Sequence, residues 1–154
     1  MMKVPVRVAL CCALAIGACA KAPTGGAIPN DGLDSAIGAA IGDPTTCVIL
    51  AERLGGRRVY QYGQDLNCTR ALPACDRPGM LTAKNALALA GAVDARGASC
   101  ASNAAGTRSV GWSEGRVEGG KRDLIYSAVM EGERALPGRE MAARLADAFS
   151  QAGL

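Results

Sequence analysis

The chain has 154 residues, 17 basic and 14 acidic side chains, no histidine, and only one Trp, one Phe and three Tyr. A chain without histidine cannot assemble a Ser-His-Asp or Cys-His arrangement. Nucleic acid is not an expected partner, because stacking aromatics are scarce and basic residues pair up only at Arg57-Arg58 and Lys121-Arg122, beside predicted turns.

The first residues carry the pattern of a bacterial export signal. Lys3 and Arg7 precede an apolar run over residues 8–17, which is too short to span a bilayer because a membrane helix needs about twenty apolar residues. The segment then ends Ile16-Gly17-Ala18-Cys19. That ending looks like a lipobox and predicts a signal peptide over residues 1–18, lipid on Cys19, and a cell-envelope protein facing the periplasm.

A second interpretation of the same residues stays open. Ala18-Cys19-Ala20 also fits a small-x-small cleavage site. Cleavage there would release a secreted or soluble periplasmic protein that begins at Lys21. Without the signal, fifteen basic side chains stand against fourteen acidic ones, so the mature chain is nearly neutral.

The remaining cysteines predict two disulfides. When Cys11 and Cys12 of the signal and the proposed lipid site Cys19 are set aside, four cysteines remain: Cys47, Cys68, Cys75 and Cys100. An even number of cysteines in an exported chain, which enters an oxidising compartment, indicates disulfide pairs. Three pairings are possible, and proximity around Pro73 favours Cys68–Cys75, which leaves Cys47–Cys100. A zinc site is the alternative, but the chain has no Cys-x-x-Cys pair and no histidine, so no metal or cofactor is predicted.

Residues 19–32 are rich in Pro and Gly and predict a flexible tether ahead of one small domain, residues 33–154. Apolar residues recur at helical spacing over Leu33–Ile41, which predicts a helix. The β-prone runs Cys47–Glu52 and Arg58–Gly63 flank a glycine pair, so they predict a hairpin.

The second half of the chain repeats this alternation. A helix is predicted over Leu81–Val93, a connecting loop over Gly97–Gly106, and a hairpin from Arg108–Val117 and Asp123–Met130. An amphipathic helix is predicted over Gly138–Leu154. The expected fold is therefore α+β, with an antiparallel sheet of about four strands and the N- and C-terminal helices packed on one face.

Candidate catalytic residues are few. Ser113 stands in Gly111-Trp112-Ser113-Glu114-Gly115, which matches the Gly-x-Ser-x-Gly elbow, but a strand-like run follows and no histidine base exists, so the match is interpreted as chance. The carboxylate pairs Glu114/Glu118 and Glu131/Glu133 are expected to be solvated near turns.

Three aromatic side chains are candidates for binding or packing. Trp112 lies on a predicted strand and is expected to anchor the core. Tyr60 and Tyr62 should share one strand face, because side chains alternate with period two, and they would line a groove if that face is open.

Several segments resemble the class D serine β-lactamases and the related penicillin-binding transpeptidases. Residues 47–63 look like the first two strands of that family, and residues 70–78 look like the approach to its catalytic helix. Val110-Gly111-Trp112, residues 123–130 and residues 138–154 are similar to its last strands and helix. The resemblance covers about two thirds of the mature chain.

The chain departs from that family at the catalytic positions. Where the family has Pro-Ala-Ser-x-x-Lys, Cys75 stands at the nucleophile and Pro78 at the lysine; Ala105-Gly106-Thr107 is the nearest counterpart of the Lys-Thr-Gly strand. β-Lactam hydrolysis is therefore not implied. The expected role is non-catalytic, with another envelope protein or cell-wall material as partner. The alternative is a reduced penicillin-recognising domain that binds ligand or uses an atypical nucleophile, Ser113 or Cys75.

Overall fold

The computed structural model describes residues 28, 30–91 and 94–154. Its centre is a five-stranded antiparallel sheet in the order β2-β1-β7-β6-β5, accompanied by a two-stranded ribbon, β3-β4. The strands are β1 Cys47–Glu52, β2 Arg58–Tyr62, β3 Leu72–Pro73, β4 Met80–Leu81, β5 Arg96–Ala101, β6 Ser109–Arg116 and β7 Leu124–Gly132. The helices are α1 Asn30–Ile41, α2 Asp65–Thr69, α3 Ala83–Ala90 and α4 Gly138–Gln151. The predicted α+β class is confirmed.

Both terminal helices pack on one side of the sheet, here called the α1/α4 face. Side chains alternate along β1, so Val48 and Leu50 point towards α1 and α4 while Ile49 points the other way. The predicted apolar stripe of α4 is buried there and consists of Met141, Leu145, Ala148 and Phe149. This layer is the larger of the two cores, and apolar burial drives its formation.

The opposite side, here called the α2/α3 face, is covered by α2, α3 and the β3-β4 ribbon. Helix α3 turns Ala83, Ala86 and Ala90 towards the sheet, and these small side chains let it lie close. The Thr82 hydroxyl accepts a hydrogen bond from the Asn85 amide at 3.1 Å, which caps the first turn. The sheet is therefore covered on both sides, and the N- and C-terminal helices share one face, consistent with the prediction.

Several elements differ from the prediction. The segment Arg96–Ala101, expected within a loop, is the edge strand β5 and raises the strand number from about four to five. Helix α1 begins at Asn30, so the last residues of the predicted tether are helical. Helix α2 was not predicted, and α3 ends at Ala90. The predicted end of α3 at Val93 and nearly all of residues 1–29 lie outside the described residues.

The favoured cysteine pairing was wrong. The disulfides are Cys47–Cys68 and Cys75–Cys100, with Cα–Cα distances of 5.2 and 5.4 Å. Helix α2 carries Cys68 onto β1, directly over Cys47, and this helix was missing from the prediction. Cys75 turns away from Cys68 towards the edge strand β5, which supplies Cys100.

Helix α4 begins directly on top of the sheet because glycines remove the side chains that would separate them. A Cβ atom added to Gly138 would lie 2.0 Å from the Trp112 carbonyl oxygen and 2.5 Å from that of Ala98. The Gly138 amide donates a hydrogen bond to the Ser99 hydroxyl at 2.7 Å, so β5 satisfies a helix N-terminal donor. At its other end the helix is followed by Gly153, whose φ of 77° lies in the left-handed region that favours glycine.

Candidate functional site

Most of residues 70–78, the segment that resembles the approach to a catalytic helix, belong to a flap over the α2/α3 face. The flap is defined here as residues 72–81, which include the β3-β4 ribbon, and it covers Val110 and Trp112 of β6. The Trp112 indole is 4% exposed and donates a hydrogen bond from Nε1 to the Pro73 carbonyl oxygen at 2.7 Å. Trp112 is thus a core anchor, as predicted.

The flap leaves almost no room beneath it. The cavity lined by Ala74, Arg77, Trp112 and Glu114 among others has a volume of about 10 Å³, the space of roughly one water molecule. Cys75 Sγ lies 3.9 Å from the Val110 carbonyl oxygen. A ligand of substrate size therefore cannot enter this site while the flap is closed.

Cys75 has no thiolate to offer as a nucleophile in this state, because its sulfur is bonded to that of Cys100. The residue sits in a tight turn in which the Asp76 amide donates to the Ala74 carbonyl oxygen at 2.8 Å. Its φ of 66° lies in the left-handed region, which is unfavourable for a residue with a Cβ atom. Both the bond and this backbone conformation turn the side chain towards β5.

Glu114 is buried under the flap, which corrects the expectation that it is solvated. Its side chain is 6% exposed and accepts hydrogen bonds from Arg96 Nε at 2.8 Å and from Arg77 Nη2 at 3.0 Å. Arg77 also holds Asp76, with 2.7 Å between Nη2 and Oδ2, and this hydrogen bond lowers the pKa of the Asp76 carboxyl. The two arginines and the two carboxylates carry equal and opposite charge, so the cluster has no net charge.

Glu131 forms a second buried cluster at the other end of the flap, again contrary to expectation. Its side chain is 4% exposed and is bound by Arg108 at 2.7 and 2.8 Å, by the Ser102 hydroxyl at 2.7 Å and by Arg70 at 3.0 Å. The hydrogen bonds from Arg108, helped by those from Ser102 and by the charge of Arg70, lower the pKa of Glu131 to about 2. Glu118 and Glu133 are exposed, as predicted.

Ser113 lies in the middle of β6, not in a strand-to-helix turn. It is 1% exposed, is paired with Ala128 of β7, and its Oγ is 2.8 Å from the Tyr126 hydroxyl. Burial raises the pKa of that tyrosine, so the phenol keeps its proton and no phenolate is present to act as a base for Ser113. The side chain of Ser113 lies on the α1/α4 face of the sheet, whereas Cys75 lies on the α2/α3 face. The structure therefore does not bring the two suspected nucleophiles together.

The tyrosines of β2 behave differently from each other although they share a face. Tyr60 is 5% exposed, and its hydroxyl donates to the Asp34 carboxylate of α1, while burial raises the pKa of the phenol. Tyr62 is half-buried and borders an open cavity of about 460 Å³, together with Gly38, Asp43 and Gln64. Only Tyr62 is therefore available to a ligand.

Searches of family models, curated proteins and solved structures found no match to the chain. Within residues 28, 30–91 and 94–154, no cluster of three His, Cys, Asp or Glu side chains is placed to hold a metal ion. No helix in that part of the chain has the length and apolarity needed to cross a membrane.

Proposed function

We propose that the chain is an exported protein of the bacterial cell envelope, lipid-anchored through Cys19, facing the periplasm, and non-catalytic. The observation that carries the proposal is the pairing of Cys47 with Cys68 and of Cys75 with Cys100. Paired structural cysteines persist in oxidising compartments and are rare in the cytosol. They support the export signal and leave Cys19 as the cysteine that the lipobox assigns to lipid.

The non-catalytic role is supported by what the candidate nucleophiles and acids contact. Cys75 is bonded to Cys100, and Ser113 is buried against a tyrosine hydroxyl. Glu114 and Glu131 are neutralised by arginines, so neither is positioned to exchange a proton with a substrate. These contacts support a structural role for the four residues.

The partner we propose is another envelope protein or cell-wall material. The open cavity beside Tyr62 supports this, because a half-buried aromatic ring lies next to Asp43 and Gln64, and its volume of about 460 Å³ is in the range of ligand sites. An aromatic surface with polar groups at its border suits a sugar ring or a polar peptide.

An intact-mass spectrum of the protein from its native membrane fraction tests the anchor. The expected mature chain begins at diacylated or triacylated Cys19 and gains about 4 Da on reduction, two hydrogens for each disulfide. A Cys19→Ser variant serves as the control and is expected to lack the lipid mass. An unmodified chain beginning at Lys21 would refute the anchor and assign the protein to the soluble or secreted class.

A second candidate is a reduced penicillin-recognising domain that keeps ligand binding. The element order favours it: the chain starts with α1, β1 and β2 and finishes with β6, β7 and α4, and both terminal helices lie on one face of the sheet. That is the order which the β-lactamase resemblance implies. The flap also carries Cys75, the residue aligned with the nucleophile, to the edge strand β5.

A fluorescent penicillin distinguishes the two candidates. If the domain recognises penicillins, the probe binds reversibly, unlabelled penicillin displaces it, and denaturation releases all of it, because Cys75 is oxidised and Ser113 is buried. Because the space under the flap holds only about one water molecule, such binding would require the flap to move; Arg96→Ala at the border of this space should then weaken it, whereas Arg134→Ala, which changes an exposed arginine, should not. If no binding is seen at millimolar concentrations of the probe, the penicillin-recognising candidate is ruled out. A label that survives denaturation would contradict the non-catalytic role.

A further inference from the structure

The two disulfides differ in their exposure to solvent. Cys47 of β1 and Cys68 of α2 are both 0% exposed and lie within the core of the α2/α3 face. Cys75 and Cys100 are only half-buried, at the end of the flap and on the edge strand β5. We propose that Cys75–Cys100 is a thiol-exchange site: a dithiol reductant opens it while Cys47–Cys68 stays closed, and opening frees the flap from Trp112.

Access is the first argument. Thiol–disulfide exchange needs a thiolate to approach along the sulfur–sulfur axis, so its rate depends on exposure of the bond. Strand β5 is the outer strand of the sheet, so the bond at Cys100 lies at a border of the protein. The other bond joins the inner strand β1 to α2, and a reductant would have to displace that helix before reaching it.

The backbone at Cys75 is the second argument. Among the residues that the structure describes, Cys75 is the one non-glycine residue with a positive φ, at 66°. Such a conformation persists only where its surroundings impose it. The bond to Cys100 and the Asp76–Ala74 hydrogen bond of the same turn hold it here, so opening the disulfide removes one of the two constraints on the Cys75 backbone.

The chemistry balances with one dithiol of the oxidoreductase class. One of its sulfurs, as thiolate, attacks one sulfur of the Cys75–Cys100 bond, and the other cysteine leaves as a thiolate that takes up a proton. The second thiol of the reductant, after losing its proton, attacks the resulting mixed disulfide. Cys75 and Cys100 gain two electrons and two protons, and the reductant becomes a disulfide.

Opening has a structural consequence because Cys75–Cys100 is the covalent link between the flap and the sheet. The contacts that remain are noncovalent: the Trp112–Pro73 hydrogen bond, the ion pairs Arg77–Glu114 and Asp76–Arg96, and the packing of Leu72, Ala74 and Leu81 on the core. Once the flap moves, the Trp112 indole becomes accessible beside Glu114 and Arg96. The closed site then becomes a groove with an apolar floor and a charged border.

The test uses the purified oxidised protein without denaturant. It is treated with dithiothreitol for increasing times, blocked with N-ethylmaleimide and mapped by peptide mass spectrometry. We expect Cys75 and Cys100 to be labelled at least about ten times faster than Cys47 and Cys68, because exchange follows access to the sulfur. Equal rates, or earlier labelling of Cys47 and Cys68, would overturn the assignment.

The movement of the flap is read from Trp112, the sole tryptophan of the chain. Its emission should shift to longer wavelength in step with the labelling of Cys75, and an unchanged spectrum would show that the flap stays closed. A double variant, Cys75→Ser with Cys100→Ser, should emit like the reduced protein without any reductant. Should that variant fail to fold, the kinetics of the unmodified protein decide the question alone. None of these outcomes depends on the state of Cys19.

Discussion

Gly138→Ala is expected to lower the free energy of unfolding by about 3 kcal/mol or more, the upper range of overpacking. The new Cβ would lie 2.0 Å from the Trp112 carbonyl oxygen and 2.5–2.6 Å from the carbonyl oxygen and amide nitrogen of Ala98. These are backbone atoms of two paired strands, so they cannot rotate away as a side chain would. Helix α4 must instead lift from the sheet and loosen its buried stripe.

Gly132→Ala is the matched control, since no atom lies within 4 Å of the position its Cβ would take. Guanidinium unfolding followed by Trp112 fluorescence, with the disulfides intact, measures both variants. The control should change stability by less than about 1 kcal/mol, as alanine in open space does. A loss below about 1 kcal/mol for Gly138→Ala would mean that the start of α4 is not in contact with β5 and β6.

Glu131→Gln is expected to cost about 2–3 kcal/mol at neutral pH. The pKa of Glu131 is lowered from an ordinary value of 4.5 to about 2, chiefly by hydrogen bonds from Arg108. A pKa shift of this size contributes at most about 3 kcal/mol to the free energy of unfolding. The amide keeps the shape of the side chain but leaves Arg108 and Arg70 facing a neutral partner.

The pH dependence follows from the direction of that shift. Because the folded pKa lies below the unfolded one, the stabilisation is complete above about pH 4.5 and disappears as the pH falls to about 2. Unfolding free energies measured from pH 7 to pH 2 should therefore converge for Glu131→Gln and the unmodified protein. Glu133→Gln, an exposed neighbour, should follow the unmodified protein throughout. If the difference in unfolding free energy between the two proteins stayed constant over this pH range, it could not come from the ionised Glu131 carboxylate.

The hairpins and α4 could be predicted because local signals agree with their final environment. The runs at β1 and β7 are β-prone, and α4 carries a clear apolar stripe. Strand β5 has no such signal, since its sequence Arg-Gly-Ala-Ser-Cys-Ala offers neither β-branched residues nor alternation. Its conformation comes from pairing with β6 and from the start of α4, which packs against Gly97.

The site could be predicted less well, because its contacts join residues far apart in the sequence. Arg96 stands directly opposite Glu114, but the pair is recognisable only once β5 is known to be a strand. Glu131 likewise meets Arg70, from the link between α2 and the flap, and Arg108, from the β5–β6 turn. The cysteine pairing failed for the same reason, since it depended on α2. Trp112 was predicted correctly because its burial follows from residue type and strand position alone.

Both disulfides belong to the α2/α3 face, and among the residues that the structure describes the core of the α1/α4 face contains no cysteine. The covalent reinforcement of this part of the chain is therefore one-sided. When a reductant reaches the protein, order should be lost from the reinforced side inward, while amide protons of β1 and β7 beneath α1 and α4 still resist exchange.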